Sequence, residues 1–507
     1  MASNIKTFRY NLLTAGINSI SEANDLMQES GKPIEARDIE NFTPINRGGQ
    51  TKTTGFSLLK ATGANRITGL YRYTKADAST FFLYGAGTTL YKLVSGTPTS
   101  LYTSFSNGAN LHFETALNQC VICDGATAPQ KFDGTTVSNL GGSPPTGARQ
   151  SLFYQNRLWI FGGTANPSLL YYSDPGTLDT NFSGNFVNCD VNDGQKITAI
   201  GKFFIPGNLE PVIIVGKERA IGVITGTGTT ADPYTYARIK ADFGIPGFRQ
   251  IVQFGQDVAY LTPQGVSSYK TDNSFVNLIY AYLTEKVRDK FQALPAATLP
   301  NAIGWYDWKK TRLSWAVTES SYTYNNVIYH YDTRLQCWYK ERWNTGQDCT
   351  AVFVDTDGTI YHGDSSGNIM QHDTTNSFNG GAINAFYLTP YFDFGAPQLK
   401  KRILNAKVTI RGNGAYSVGV GTSLDYGNRI GKSNTITLTA GAYMWNGGVW
   451  TSNANTYQWG GPAILTRRFI PSGYFNSIQF NFSQTGADQP VDFFELDLEV
   501  EYEAAQR

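Results

Sequence analysis

The sequence predicts an all-β chain with few helices: an N-terminal arm over residues 1–55, a β-propeller of six or seven blades over 56–375, and a C-terminal β-sandwich over 376–507. Two observations support this prediction. Glycine supplies 52 of 507 residues and aromatic residues 14%, whereas charged residues are only 16%, against roughly 25% in an average soluble domain. Strand-sized apolar runs also alternate with turn residues along most of the chain, as in short strands joined by tight turns.

Composition and charge exclude several classes of protein. An apolar content of 41% is enough to bury a large core, which excludes a disordered chain. Lysine plus arginine total 41 and aspartate plus glutamate total 40, which argues against a basic nucleic-acid clamp. This balance does not argue against a channel through which DNA only passes.

Targeting signals and cysteine usage indicate synthesis in a reducing compartment. The N-terminal residues lack the apolar run of a signal peptide, and no apolar run approaches the ~18 residues of a membrane span. The five cysteines are few and odd in number, unlike a disulfide scaffold. We expect reduced thiols made in a cytoplasm and, if the protein leaves the cell, a route such as lysis.

The N-terminal arm contains little that forms a core of its own. Residues 15–18 are rich in turn formers, 34–42 suit a short helix or an extended segment, and 47–50 form a loop.

The propeller region is a series of short strands with a period near 45 residues. An Asp357-Gly358 turn between apolar runs is a strong hairpin signal. Gly87, Gly134 and Gly358 share a Gly-Thr-Thr/Ile-apolar form; the first two lie 47 residues apart and the last two 224 apart, or five steps of about 45. Seven blades at this period need about 315 residues, and 56–375 supplies 320. Six blades plus an insertion fit as well.

One helix is predicted inside the propeller region. Ile279, Leu283, Val287 and Phe291 recur every four residues with charged residues between them, ahead of Pro295. This spacing predicts an amphipathic helix whose apolar stripe docks on the strands. A membrane or partner role for the stripe is the weaker alternative.

Past residue 375 the pattern changes to longer strands. Runs at 385–388, 403–410, 417–420 and 478–482 are followed by 496–502, which alternates apolar and acidic residues. Such alternation buries one face of a strand and exposes the other. We interpret this region as a sandwich of ~130 residues.

Cys120 and Cys123 form a lone C-x-x-C pair. A zinc site needs four ligands, usually two such pairs or added histidines, and no second pair exists. Three residues apart on a strand, the two thiols point to opposite faces. We expect them to pack in the core rather than bind metal.

A second polar cluster places His362 and His372 near aspartates. Clustered histidine and aspartate side chains bind metals in some proteins, but the polar turns of a blade have the same composition. We favour the turn reading; the aspartates meant are Asp355, Asp357, Asp364 and Asp373.

Enzyme motifs are not found. The sequence has no Walker loop or H-E-x-x-H, and Asp357-Gly358 lacks the intervening residue of a sialidase aspartate box. Exposed Trp and Tyr leave a sugar-binding platform open. The basic runs 309–310 and 400–402 are short, as on solvated faces or at contacts with an acidic partner. We predict no enzyme activity, no cofactor, and no catalytic, cofactor-binding or metal residues.

Three segments carry a resemblance to a known family. They are 36–42 (ARDIENF) followed by 47–50 (RGGQ) and 55–56; 170–176 (LYYSDPG) followed by Asn181-Phe182; and 391–395 (YFDFG) followed by 400–403 and 408–410. In this order they resemble the opening, a blade segment and the start of the C-terminal domain of tail nozzle proteins of short-tailed bacteriophages (podoviruses), also called tail tubular protein B, tail hub or packaged-DNA stabilisation proteins.

The resemblance implies a structural virion protein without catalysis. It implies a homohexamer around a central channel in the viral tail, attached to the tail adaptor (head-to-tail connector) ring below the portal, with the N-terminal arm at that contact and tail fibres or spikes as further partners. Viral DNA would be retained and then pass through non-specifically during ejection. A near-neutral surface suits such a conduit, because phosphate contacts would slow passage. Synthesis in the host cytoplasm and no stable membrane insertion are expected.

The alternative is a carbohydrate-binding or carbohydrate-cleaving β-propeller. A third reading, a scaffold of the WD class, lacks repeated Trp-Asp and Gly-His pairs.

Overall fold

The chain divides into two compact units. The structure, a computed structural model, describes residues 4–22, 25–26, 28–45, 48–63, 65–163, 165–204, 211–272, 277–412, 414–438, 451–452, 455–456, 463–471 and 473–503. Met1–Ser57, Tyr329–Thr345 and Asp373–Arg507 form the sandwich unit, and Leu58–Ile328 with Gly346–His372 form the propeller unit. Within the described ranges, no helix is long and apolar enough to cross a membrane.

Strands make up nearly all of the regular structure. In chain order they are β1 Ile5–Tyr10, β2 Asp38–Glu40, β3 Phe42–Pro44, β4 Gln50–Lys52, β5 Phe56–Ala61, β6 Ile67–Thr74, β7 Thr80–Ala86, β8 Thr89–Val94, β9 Thr97–Tyr102, β10 His112–Ala116, β11 Gln119–Cys123, β12 Gln130–Phe132, β13 Val137–Asn139, β14 Ala148–Tyr154, β15 Arg157–Gly162, β16 Leu169–Tyr172, β17 Phe186–Asn188, β18 Ile197–Phe204, β19 Pro211–Lys217, β20 Ala220–Thr225 and β21 Thr235–Ala241. They continue with β22 Ile251–Phe254, β23 Asp257–Thr262, β24 Gly265–Asp272, β25 Asn277–Tyr282, β26 Ile303–Asp307, β27 Arg312–Val317, β28 Val327–Asp332, β29 Cys337–Arg342, β30 Ala351–Val354, β31 Ile360–Gly363, β32 Asn368–His372, β33 Ala385–Leu388, β34 Lys401–Gly412, β35 Ser417–Leu424, β36 Arg429–Ile430, β37 Asn434–Thr437, β38 Thr451–Ser452, β39 Asn455–Thr456, β40 Ala463–Phe469, β41 Ile478–Gln484 and β42 Val491–Tyr502. The described helices are α1 Arg288–Gln292 and the 3-10 turns Val191–Asp193, Glu285–Val287, Leu299–Asn301 and Asp425–Gly427.

The propeller unit contains seven successive sheets among its described residues. Strands β6–β9, β10–β13, β14–β17, β18–β21 and β22–β25 form five antiparallel sheets in sequence order. The hairpin β26–β27 begins the sixth, and β30, β31, β32 and β5 form the seventh. The first strand of each sheet lies against the first strand of the next, and β30 lies against β6. The fold is therefore a propeller of seven blades, which confirms the predicted class and settles the count.

Apolar side chains fill the spaces between neighbouring blades. Trp159 of the third blade packs with Ile213 of the fourth, and Ile67 of the first packs with Ile369 of the seventh, which closes the ring. All four are fully buried, and each such burial contributes about 1.5–3 kcal/mol. Strand β5, from the N-terminal side of the first blade, completes the seventh sheet. Such pairing joins the two ends of a propeller in one sheet.

The sandwich unit packs two sheets over an aromatic core. In one sheet β34 and β40 lie on one side of β42, with β4 and β1 on its other side. The other sheet runs β29-β2-β33-β41-β35, and both β36 and β37 pair with β35. Phe42 of the N-terminal arm lies 5.4 Å from Phe493 between ring centroids, and Phe493 lies 5.2 Å from Phe482. The arm therefore belongs to the sandwich core.

Unit boundaries differ from the predicted ones. Besides 373–507, the sandwich unit takes residues 1–57 and Tyr329–Thr345. The physical reason is strand pairing: β2 of the arm lies between β29 and β33. Runs of apolar residues do not show which distant strand will be their neighbour.

The predicted amphipathic helix is wrong. Ile279 lies in strand β25, which pairs with β24, and helical structure is confined to the short turns Glu285–Val287 and Arg288–Gln292. Val287 and Phe291 are buried, so the last two apolar positions of the stripe do dock. The four-residue spacing arose from a strand followed by a turn.

The repeat length of about 45 residues was predicted correctly. The three glycines used to place the repeats, however, do not occupy the same position in their blades. Gly87 lies between the second and third strands of its blade, Gly134 between the third and fourth, and Gly358 between the first and second. These are three different turns. The first strands begin instead at residues 67, 112, 148, 197, 251, 303 and 351.

Candidate functional site

The two C-x-x-C cysteines lie in the propeller core. Cys120 and Cys123 are both in β11 and fully buried. Cys120 packs between the first and second blades and Cys123 between the second and third, which confirms that they face opposite ways. Burial raises the pKa of the Cys123 thiol to about 12. The pair is structural.

The histidine and aspartate cluster is divided among separate contacts. His362 Nδ1 lies 2.7 Å from His372 Nε2. Asp364 accepts hydrogen bonds from the backbone of Ser366 and Asn368, Asp357 accepts one from the backbone of Thr359, and Asp355 pairs with Arg72. Asp373 belongs to the other unit. Among the described residues, no three His, Cys, Asp or Glu side chains are grouped to hold a metal ion.

One short basic run is not a solvated face. Lys401 is fully buried, and its Nζ donates to the carbonyls of Leu399 at 2.8 Å and Asn476 at 2.7 Å. Arg402 pairs with Glu501 at 2.7 Å. The expectation for 400–402 is therefore wrong at Lys401, which is a structural cation.

The segments behind the family resemblance occupy positions that organise the fold. Asn41 donates to the carbonyls of Arg342 at 3.0 Å and Asn384 at 2.7 Å, and accepts from the Arg342 backbone at 2.8 Å. Ser173 Oγ accepts from the Leu158 backbone and donates to the Thr177 carbonyl. Arg47 of the first segment lies outside the described residues.

The propeller unit carries a cluster of arginines at the start of its innermost strands. Arg66 directly precedes β6, Arg149 is the second residue of β14, and Arg249 lies two residues before β22. They come from the first, third and fifth blades. We call these three residues the arginine mouth. The first strands of successive blades lie side by side around the axis of the propeller. Their starts therefore lie at the same end of that axis.

An aromatic ring joins two of these arginines. The Phe248 ring centroid lies 4.3 Å from the Arg149 guanidinium carbon and 5.4 Å from that of Arg249, within the range of cation–π attraction. His112 of β10 lies against the same ring, with centroids 6.0 Å apart. Its Nε2 is 2.8 Å from the Ser151 carbonyl oxygen.

The guanidinium groups of the mouth are held by neutral acceptors. Arg249 Nη1 donates to the Thr350 carbonyl at 2.8 Å and Nη2 to the Asn301 carbonyl at 3.3 Å. Arg66 donates to the Asn110 side chain at 2.8 Å, and Arg149 donates to the Asp124 carbonyl at 3.0 Å. The arginines are thus oriented without using a carboxylate.

Burial and mutual repulsion shift the titration of the mouth. Burial, together with the neighbouring cations of Arg149 and Arg66, lowers the pKa of Arg249 to about 9, against an opposite effect of Cys349. The pKa values of Arg66 and Arg149 are also lowered, chiefly by burial. At neutral pH all three are cationic, so the mouth concentrates positive charge.

A pocket of about 400 Å³ opens beside Arg66 and Arg249. The other lining side chains are mostly polar, and one aromatic ring, Tyr324, borders the pocket with its centroid 5.7 Å from the Arg66 guanidinium carbon. The remaining lining residues are Gly108, Asn110, Asn301, Thr323, Asn325, Cys349 and Thr350.

A second pocket, of about 240 Å³, lies on the fifth blade. Tyrosines dominate its wall, with Glu285 and Arg288 at its polar side; the aromatic lining is Phe243, Tyr260, Tyr280 and Tyr282. Tyr280 is 42% exposed.

The sandwich unit exposes large apolar side chains at its strand edges. Among the described residues β40 ends one sheet, and β36 and β37 end the other, while β37 lies in contact with β40. Ile430 is 91% exposed and Ile464 63%. Tyr426 and Tyr474 are each about half exposed nearby in sequence. Monomers seldom leave such side chains together on open edges.

Sequence reasoning missed the arginine mouth. Its three members are isolated in the sequence, because each belongs to a different blade. The one available signal was an arginine at or just before an apolar strand. This signal becomes informative only when it is known which strand is the first of each blade.

Comparison with known proteins gives likeness in fold only. No protein-family model matches the chain, and no curated protein matches it. It is similar to the WD40 β-propeller domain of Doa1, with 9% identity and a TM-score of 0.41 over 63% of this chain and 98% of that one. BamB from Moraxella catarrhalis (11%, TM-score 0.38, 66% and 93%) and a streptogramin B lyase (10%, TM-score 0.42, 63% and 98%) are also similar. The propeller assignment rests on the seven sheets of the chain itself.

Proposed function

We propose that the protein is a structural component of a virion, the hexameric tail nozzle of a short-tailed bacteriophage. The exposed apolar edge of the sandwich unit is the observation that carries this proposal. Ile430 and Ile464 lie on terminal strands of the two sheets, where they gain most from being covered by a neighbouring subunit. A contact between two different patches repeats from subunit to subunit and closes into a ring when the rotation between subunits divides a full turn.

Three family-like segments also support the proposal. They occupy the N-terminal arm, the third blade and the start of β34, so the resemblance extends over both units. In this role the protein binds the tail adaptor ring and fibres or spikes, retains viral DNA, and conducts it without catalysis.

The test is electron microscopy and mass photometry of the purified chain, alone and with the adaptor ring. Sixfold rings with a central hole are expected. Ile430→Asp combined with Ile464→Asp should shift the population to monomers, whereas Val94→Asp, at a half-exposed valine of the propeller unit, should leave rings intact. Monomers that never join the adaptor would overturn the proposal.

A carbohydrate-binding propeller is the second candidate, and the tyrosine-lined pocket favours it. Aromatic rings beside a carboxylate and a guanidinium in one pocket suit the apolar faces and hydroxyls of a sugar. A glycan array separates the candidates: selective binding that Tyr280→Ala abolishes would favour this role, and binding to no glycan is expected of a nozzle.

A further inference from the structure

We infer that the arginine mouth binds the phosphate group of a phosphorylated small molecule in the pocket beside Arg66 and Arg249. The inference rests on the propeller unit alone, whereas the exposed apolar edge that carries the proposed nozzle role lies on the sandwich unit, so either can fail without the other.

The lack of a direct ion pair at the three arginines is the first reason. Three guanidinium groups converge, and none forms an ion pair within the described part of the chain. The charges of Asp124 and Asp348 act on Arg149 and Arg66, but both carboxylates direct their oxygens to other donors. Asp124 accepts from the backbones of Ser106, Ala126 and Thr127, and Asp348 accepts from the backbone and hydroxyl of Ser365. Grouping like charges in a partly buried site is costly, and a bound anion offsets that cost.

Unused donor capacity is the second reason. A guanidinium has five N–H donors in a rigid fork. Arg249 donates one hydrogen bond from each terminal nitrogen to a carbonyl, which leaves a second N–H on each of these nitrogens. Arg66 is held by Asn110 and by the Gly108 carbonyl. Both side chains line the pocket, so their orientation is fixed while donors remain for a ligand.

Pocket size and lining define the ligand class. Two arginines match a phosphate dianion in charge, and the guanidinium fork matches its oxygens in geometry. A volume of about 400 Å³ is in the range of small-molecule sites and exceeds the need of a lone phosphate. The Tyr324 ring, 36% exposed, offers a stacking surface for the organic part of the ligand.

Isothermal titration calorimetry tests the inference. The full chain is titrated at constant ionic strength with inorganic phosphate, pyrophosphate and adenosine monophosphate, using chloride as the reference anion. We expect saturable binding of at least one phosphate compound. Arg66→Gln should weaken it about 10- to 100-fold, because a charged hydrogen bond contributes about 1.5–3 kcal/mol. Arg219→Gln, at an exposed arginine of the same unit, should leave it unchanged.

Further variants distinguish the outcomes. If the organic part of the ligand stacks on the ring, Tyr324→Leu should weaken the binding of adenosine monophosphate but not that of inorganic phosphate. If the variant binds both compounds as tightly as the wild type does, the site holds free phosphate and the assignment of a phosphorylated organic molecule is overturned. If Arg66→Gln fails to fold, Arg249→Lys takes its place. This variant keeps the positive charge and tests whether binding requires the guanidinium group of Arg249. Absence of binding, or equal affinity in wild type, Arg66→Gln and Arg249→Lys, would overturn the inference.

Discussion

Stability of the propeller unit should fall between pH 7 and pH 4.5 because of His112. Burial, with a smaller contribution from the cations of Arg149 and Arg249, lowers the pKa of this imidazole from 6.5 to about 4, against the opposing effect of its hydrogen bond to the Ser151 carbonyl. The native imidazole therefore stays neutral at pH 4.5, while the imidazole of the unfolded chain takes up a proton.

The sign follows from proton linkage. Where the unfolded state binds more protons, the free energy of unfolding decreases as pH falls. This contribution is complete above pH 6.5 and is lost progressively down to pH 4. With pKa values of 6.5 and about 4, the loss between pH 7 and pH 4.5 is about 2 kcal/mol.

Urea-dependent hydrogen exchange on peptides from β10 and β14 measures this quantity for the propeller unit. His112→Gln keeps an N–H donor for the Ser151 carbonyl but does not titrate. Carboxylates contribute equally to both proteins, so the wild type should lose about 2 kcal/mol more than the variant between the two pH values. An equal loss in both would refute the assignment of a buried neutral imidazole.

Three further predictions concern stability and reactivity. Lys217→Met should lower the free energy of urea unfolding by about 2 kcal/mol, because it removes a fully buried ammonium that donates to Asp193 at 2.7 Å and to the Cys189 carbonyl at 2.6 Å; an unchanged midpoint would contradict this. Gly55→Ala should destabilise the sandwich unit by about 3 kcal/mol in thermal unfolding, since its Cβ would lie 1.8 Å from the Ser377 carbonyl oxygen, whereas Gly421→Ala, with no atom closer than 3.7 Å, should be neutral. All five cysteines are buried, so a thiol reagent should label them only after denaturation, and rapid labelling of the native chain would count against the core packing.

Local turn chemistry was predictable from the sequence, but the equivalence of distant turns was not. Asp357-Gly358 does join β30 to β31, with Gly358 at φ +77°. Yet a Gly-Thr sequence suits any tight turn, so it does not tell whether the turn follows the first, second or third strand of a blade. Which strand begins a blade depends instead on which apolar strand lies innermost, next to the axis of the propeller.

Non-local pairing accounts for the other differences. Ile279 was assigned to a helix because its spacing to Leu283 and Val287 fits 3.6 residues per turn, while its pairing partner Lys270 in β24 is invisible to a local window. The candidate site shares this origin: Arg66 and Arg249 lie far apart in sequence and meet only because the ring closes.

Pairing between the two ends of the chain has a consequence for biosynthesis. Ile5 of β1 pairs with Glu501 of β42, so a ribosome completes the partner of β1 almost 500 residues after β1 itself. Until then β1 and β34 lack the strand that lies between them, and their backbone donors and acceptors are open to wrong partners. Contacts of such long range also form slowly. Growing chains should therefore be prone to mispairing before β42 is made, and synthesis of β42 is the step that allows the sandwich to fold.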